Sequence, residues 1–285
     1  IEASTSPIVA GTASFTISAW IRTTSSNTTF GKSIYAERAT SGQDIVKLDS
    51  TDLGSPNGVF ITYRNSAGTL TQLRGPAIIN DNQLHHVVGT LSGGTLNVYV
   101  DGRLDATGAR GGNDTLTDVG KRSWIGGDYG DSNAYFSGTL DEVRVSSVAR
   151  SADWIATEYN NQSSPSTFYS YGAVGVENRS SAATSIASRS GGNSWYATGG
   201  TWGYRKQITV DPEKVSGSSN LTDFPMLFKV TDADLKHTDH GGKVGKIDGT
   251  DILFTSSDGS TKLSHEIEYY ASTTGEIIAW IKVPT

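Results

Sequence analysis

Three features of the sequence predict an all-β protein. Apolar and polar residues alternate in short runs, as from Phe15 to Arg22 and from Asp141 to Val145, which is the period-2 pattern of strands. Asp-Gly and Gly-Gly turns punctuate these runs along nearly all of the 285 residues. The composition, with 33 Gly, 12 Tyr, 6 Trp and 35% hydrophobic residues, suits many short strands joined by tight turns, where a disordered chain lacks the aromatics.

The first run, Ser14 to Ile21, places Phe15, Ile17, Ala19 and Ile21 on one face and predicts them as core. Strands follow at Gly58 to Arg64 and at Leu84 to Leu91. Thr95 to Val100 and Arg103 to Thr107 form a hairpin across Asp101-Gly102, a dipeptide that takes the positive φ angles of a two-residue loop. Ser123 to Gly126 and Tyr135 to Val145 are further strands. Between Ser151 and Tyr159 the period changes: Ser151 can cap a short helix, with Ile155 and Tyr159 four apart and Trp154 beside them.

Residues 172–200 lose periodicity and turn rich in Gly, Ser, Ala and Thr, the composition of a linker or long loop. The chain is long enough for two cores. The expected division is therefore a first domain over 1–171, a linker over 172–200 and a smaller β domain over 201–285. In that second domain strands are expected at Tyr204 to Val210, Phe224 to Val230, Asp251 to Thr255, Leu263 to Tyr270 and Glu276 to Val283, with a turn at Ser257-Asp258-Gly259.

Charge and composition exclude several functions. With 23 basic and 29 acidic residues the net charge is −6, which removes the usual electrostatic basis for binding nucleic acid or anionic lipid. There is no Cys, hence no disulfide, thiolate nucleophile or thiolate metal ligand. No run of ~18 apolar residues spans a membrane. Asn-x-Ser/Thr sequons at Asn27, Asn113, Asn161, Asn178 and Asn220 are glycan acceptors in form, but chance accounts for them in so Ser/Thr-rich a chain. No signal peptide is visible; the chain opens on Ile1, as a mature product or an excised fragment does.

Four segments carry a family resemblance: Ser14-Phe15-Thr16-Ile17-Ser18-Ala19-Trp20, Leu84-His85-His86-Val87-Val88-Gly89-Thr90, Val98-Tyr99-Val100-Asp101-Gly102, and Phe136 through Leu140-Asp141-Glu142-Val143-Arg144-Val145. In order and spacing they resemble the laminin-G-like members of the concanavalin-A-like lectin/glucanase superfamily. Trp202-Gly203-Tyr204-Arg205-Lys206, Phe224-Pro225, Asp251 to Thr255 and Ala279 to Pro284 resemble the uncharacterised domain family DUF2341, which often accompanies such modules in large microbial surface proteins. The first resemblance implies a two-sheet jelly-roll β-sandwich and extracellular recognition of glycan or protein. The second implies a smaller β-sandwich. The chain opens at Ile1-Glu2-Ala3, where the family's first strand is already under way. It ends at Thr285, before the expected closing strand, which implies an open sheet edge.

Asp141 is the sharpest candidate site. Simple alternation puts it on the face of Val143 and Val145, and a buried carboxylate needs a cation or several donors. The superfamily often holds calcium near the equivalent aspartate. The resemblance thus implies a structural Ca2+ held by Asp141, backbone oxygens and Glu2, with an Arg partner or backbone amides as the alternative. Asp128, Tyr129, Asp131, Asn133 and Tyr135 in the loop from Gly126 to Tyr135 combine acidic oxygens with aromatic rings, the composition of a sugar site, where rings cover the apolar face of a pyranose.

Other motifs argue against chemistry. His85 and His86 are adjacent on a strand and point to opposite faces, so they do not converge on one metal. His237, Asp239 and His240 read as a solvated polar turn. Glu266 and Glu268 share a strand face but lack the Glu-x-Asp-x-x-Glu string of the superfamily's hydrolases. Gly31-Lys32-Ser33 lacks the earlier glycine of a phosphate loop, and no Gly-x-Ser-x-Gly elbow occurs. No catalytic residue is expected. The leading expectation is an extracellular or cell-surface protein of a bacterium or archaeon that binds glycan or a surface protein. Its rivals are a filament or matrix subunit that self-assembles by strand exchange and, more weakly, a glycoside hydrolase.

Overall fold

The computed structural model describes residues 2–4, 8–9, 12–26, 31–38, 44–52, 55–65, 67–111, 122–128, 132–176, 196, 198–199 and 202–284. The chain divides into two compact units, Ile1–Tyr159 and Asn160–Thr285. Both are built on antiparallel sheets, so the protein is all-β, as the alternation and turn signals predict.

The first unit contains β1 (Glu2–Ser4), β2 (Phe15–Arg22), β3 (Lys32–Arg38), β4 (Asp44–Asp52), β5 (Ser55–Arg64), β6 (Leu70–Arg74), β7 (His85–Ser92), β8 (Thr95–Val100), β9 (Arg103–Ala109), β10 (Arg122–Ile125) and β11 (Thr139–Ser146). They form a six-stranded sheet in the order β1-β10-β3-β4-β5-β6 and a five-stranded sheet in the order β11-β2-β7-β8-β9. This is a jelly-roll β-sandwich. Phe15, Ile17, Ala19 and Ile21 are fully buried in its core together with Leu48, Ile61, Tyr63 and Leu91. The two layers approach closely at Gly89, where an added Cβ would stand 2.6 Å from Ile61 Cδ1 of the facing sheet. The Asp101-Gly102 hairpin forms as expected, with φ of 50° and 75°.

Four strands of the first unit, β1, β3, β4 and β6, are not foreseen by alternation. In β3 and β4 nearly every residue is buried on both faces, including Glu37, Lys47 and Asp49, which hides the period-2 signal. Glu37 faces the core, where its Oε1 accepts from Tyr35 Oη at 2.6 Å and from the amides of Ile8 and Val9 at 2.7 and 2.9 Å. The Tyr35 phenol is pushed well above its ordinary range by burial and by that neighbouring carboxylate.

The helix expected after Ser151 exists as α1 (Ala152–Ser163), and Ser151 Oγ accepts from the Trp154 amide at 3.2 Å. Within the first unit its Ile155 packs with Val88 and Tyr99 on the outer face of the five-stranded sheet.

The second unit begins earlier than residue 171, because the chain around 161–171 already bonds into it. It contains α2 (Pro165–Phe168), β12 (Tyr169–Tyr171), β13 (Gly175–Val176), β14 (Tyr204–Arg205), β15 (Ile208–Val210), β16 (Phe224–Thr231), β17 (His265–Ala271) and β18 (Glu276–Val283). β12 pairs with β15 and β13 with β14, so Gly175–Val176, near the start of the expected 172–200 linker, belongs to a ladder. Residues 177–195, 197 and 200 of that linker lie outside the described residues. The main sheet runs β16-β18-β17. Phe224, Met226, Phe228 and Val230 share its buried face with Ile277, Ala279 and Ile281. Phe168 stacks on Phe224 at 6.5 Å, and Tyr169 and Phe254 meet Phe228 at 5.0 and 5.4 Å. The strand expected at Asp251 to Thr255 is instead irregular, with one isolated bridge from Thr255 to Lys262.

The outer edge of β16 is closed by side chains. Asn161 Nδ2 donates to the Leu227 carbonyl at 3.0 Å while its Oδ1 accepts from the Leu227 amide at 2.6 Å. Two residues on, Tyr169 Oη donates to the Lys229 carbonyl at 2.8 Å and accepts from the Lys229 amide at 2.6 Å. Pro225 has no N–H to present. Asn161 is fully buried in this role, which removes that sequon as a glycan acceptor in the folded chain.

Candidate functional site

The candidate face is the outer side of the six-stranded sheet, where β3, β4 and the connection after β10 meet. Alternation along β4 sends Val46 and Leu48 to the core and Lys47 and Asp49 to the other side, opposite Ala36 and Ser33 of β3. The loop from Gly126 closes over this side. Gly126 donates to the Ile34 carbonyl at 3.0 Å, Phe136 donates back to the Gly126 carbonyl at 3.1 Å, and Tyr135 bridges to Ser33. Gly126 takes a φ of 71°, which lets the chain leave β10 sharply.

Asp128 is not the exposed acceptor that its loop position implies. It is 5% exposed, and its Oδ2 lies 3.2 Å from Lys47 Nζ and 3.4 Å from Arg38 Nη1. Lys47 Nζ also lies 3.4 Å from Asp49 Oδ2. Two carboxylates and two cations are thus paired in one cluster, and both carboxylates share the Lys47 ammonium. Asp128 Oδ1 is buried with no donor among the described residues.

Further along the same connection Tyr135 is 57% exposed, and Asn133 is also exposed, its carbonyl accepting from Lys32 Nζ. Tyr129 and Asp131 lie outside the described residues. Of the five expected ligand residues, the structure thus places two on the surface and one beneath it. Sequence reasoning missed Arg38, Lys47 and Asp49. Their signal was a pair of opposite charges two apart inside a strand, Lys47 and Asp49, which predicts a shared face and a polar lining.

The calcium expectation rested on an inward Asp141, and this is corrected. Leu140 pairs with Ile21 and Asp141 with Trp20, but the next partner pair is Arg144 with Ser18, so a bulge intervenes. Glu142, at φ 49°, carries the extra residue. The bulge resets the alternation: Leu140, Val143 and Val145 pack on the core while Asp141 is exposed, its Oδ1 accepting from the Glu142 amide at 3.0 Å. Glu2 lies in the other sheet, exposed and 3.4 Å from Arg122. Among the described residues no three His, Asp or Glu side chains gather as a metal-binding group.

The histidines separate as expected. His85 Nδ1 lies 2.8 Å from Asp101 and Nε2 3.1 Å from Asp81, and the Asp101 hydrogen bond raises its pKa despite partial burial. His86 is buried beside Trp20 at 5.2 Å, and burial, then the Arg144 charge, lowers its pKa to about 4. Glu158 lies 3.6 Å from His86 Nε2, but Arg144 holds that carboxylate at 3.0 Å, so burial prevails. His237 is buried rather than solvated, with Nε2 3.2 Å from the Gly245 carbonyl. Glu266 and Glu268 are exposed, the latter accepting from Trp280 Nε1 at 3.1 Å.

A family model described as the concanavalin A-like lectin/glucanases superfamily (Laminin_G_3) matches residues 1–156. No curated protein matches the chain in sequence. Among solved structures, the chain is similar to the native heptameric SAP-like pentraxin from Limulus polyphemus, at 18% identity and TM-score 0.44 over 53% of this chain and 71% of that one. It is similar to the Ruminococcus gnavus IT-sialidase CBM40 at 22% identity and TM-score 0.43, over 52% of this chain and 82% of that one. The mouse laminin alpha1 chain, domains LG4-5, is similar at 17% identity and TM-score 0.39, over 54% of this chain, which spans only 40% of that structure. No helix among the described residues is long and apolar enough to cross a membrane.

Proposed function

From the premise that this chain belongs to the Laminin_G_3 family of the concanavalin A-like lectin/glucanases superfamily, we propose that it is a non-catalytic binding module. In this reading it is displayed outside the cell or on its surface and recognises glycan or protein partners. The observation that carries the reading is the exposure of Tyr135 and Asn133 on the connection that Asp128 anchors to Lys47 and Arg38. An aromatic ring beside an amide suits a sugar, whose C–H face packs on the ring while its hydroxyls meet the polar neighbours. The ion pairs beneath supply rigidity, since moving the loop separates Asp128 from two cations.

A glycan array probed with the whole chain tests this. Tyr135→Ala and Asn133→Ala are expected to reduce retention of the recognised glycan by about tenfold, the scale of one lost packing or hydrogen-bonding contact. Binding by both variants at the level of the wild type would overturn the assignment of this face.

A further inference from the structure

The second unit holds a cleft of about 870 Å³, walled by residues 202–208, by the loops at 234–235 and 243–245, and by residues 251–259. That volume falls in the roughly 300–1,000 Å³ range of small-ligand sites. Aromatic side chains form one wall: Tyr196 and Trp202 meet edge to face at 5.9 Å, and Tyr204 is 45% exposed.

Main-chain groups around the cleft are largely committed. The Lys243 amide donates to the Asp234 carbonyl at 2.8 Å, and the Gly245 amide to Asp251 Oδ2 at 2.7 Å. The Phe254 carbonyl accepts from Leu263 at 2.8 Å, and the Gln207 carbonyl from Gly172 at 2.8 Å. An incoming peptide strand therefore finds few amides and carbonyls to pair with, and recognition falls to side chains. Most charges are committed too. Lys206 is held by Asp232 and, at 2.8 Å, by Asp234, while Asp251 accepts from the Gly245 and Lys246 amides. Lys243 differs: its ammonium lies 5.3 Å from the centre of the Tyr204 ring and meets no carboxylate among the described residues.

We propose that this cleft binds an acidic oligosaccharide, with the Trp202 ring against the C–H face of a pyranose and Lys243, held over the Tyr204 ring, on its carboxylate. Aromatic surface and a cation that no carboxylate claims among the described residues are what such a ligand needs, since it presents an apolar ring face and a fixed negative charge. The site lies wholly within residues 160–285 and stands independently of the face around Tyr135.

The test uses the whole chain on an array of oligogalacturonates, oligoglucuronates and sialylated oligosaccharides beside their neutral counterparts, with Tyr204→Ala, Lys243→Gln and Tyr135→Ala as variants. Tyr204 and Lys243 are exposed, and unchanged circular dichroism is the check that both variants fold. At least one acidic oligosaccharide is expected to lose about tenfold in retention in Tyr204→Ala and in Lys243→Gln, and to be retained normally by Tyr135→Ala. The proposal is overturned if no acidic oligosaccharide is retained, or if every retained one is lost only with Tyr135→Ala. It is overturned equally if neutral counterparts bind as well and Lys243→Gln has no effect. Loss of both families of signal in separate variants would establish two sites, so failure here leaves the Tyr135 face to be judged on its own.

Discussion

His85 and His86 are neighbours in sequence with opposite titrations, and their environments fix the sign. His86 has a folded pKa lowered to about 4, so the unfolded chain binds its proton first as pH falls. Its contribution is complete above about pH 6.5 and is lost progressively toward pH 4, on the order of 3 kcal/mol for a shift of this size. His85, raised by Asp101, contributes fully below its unfolded value and loses that contribution as pH rises through its folded value. Urea denaturation from pH 4 to 8 is expected to show a one-proton loss of stability on the acid side that disappears in His86→Gln. A slope retained in that variant would assign it to other groups. Gly89 makes a second residue-scale case: Ile61 Cδ1 and Leu48 Cδ1 stand 2.6 and 3.2 Å from where its Cβ would lie, in a fully buried layer. Gly89→Val is expected to cost about 1–3 kcal/mol through overpacking, and an unchanged urea midpoint would refute that close approach.

At the scale of elements, the edge of β16 shows how a strand is shielded without another strand. Asn161 and Tyr169 each offer one donor and one acceptor to a single residue, the pattern that an antiparallel neighbour presents at alternate positions. Tyr169→Phe keeps the ring on Phe228 and removes both bonds at Lys229. It is expected to lower stability by about 1–3 kcal/mol and, with Asn161→Ala, to promote concentration-dependent association measurable by light scattering. A fully stable, monodisperse double variant would show that the edge needs no cover.

Across the whole molecule, legibility followed what the second face of a strand spells rather than how deeply it is buried. β2 was visible although seven of its eight residues are buried, because Thr16 and Ser18 alternate with Phe15, Ile17, Ala19 and Ile21, and Asp101-Gly102 fixed the turn between β8 and β9. β3 and β4 were hidden because Glu37, Lys47 and Asp49 are buried charges, which stand where alternation expects apolar residues or solvent. The bulge at Glu142 defeated the site reading for a related reason: one inserted residue turns Asp141 outward, and nothing in Asp-Glu-Val announces it. The connection from Gly126 to Phe136 was half legible. Its aromatic and amide groups are surface features, whereas the burial of Asp128 depends on Arg38 and Lys47, about 90 and 80 positions away in the chain, a pairing that local pattern does not contain.

The closure of β16 also orders events in time. Asn161 and Tyr169 precede Leu227 and Lys229 by 66 and 60 positions, so during synthesis both shields leave the ribosome before the strand they shield. The vulnerable row of amides and carbonyls meets its protectors on emergence, ahead of any neighbouring nascent chain.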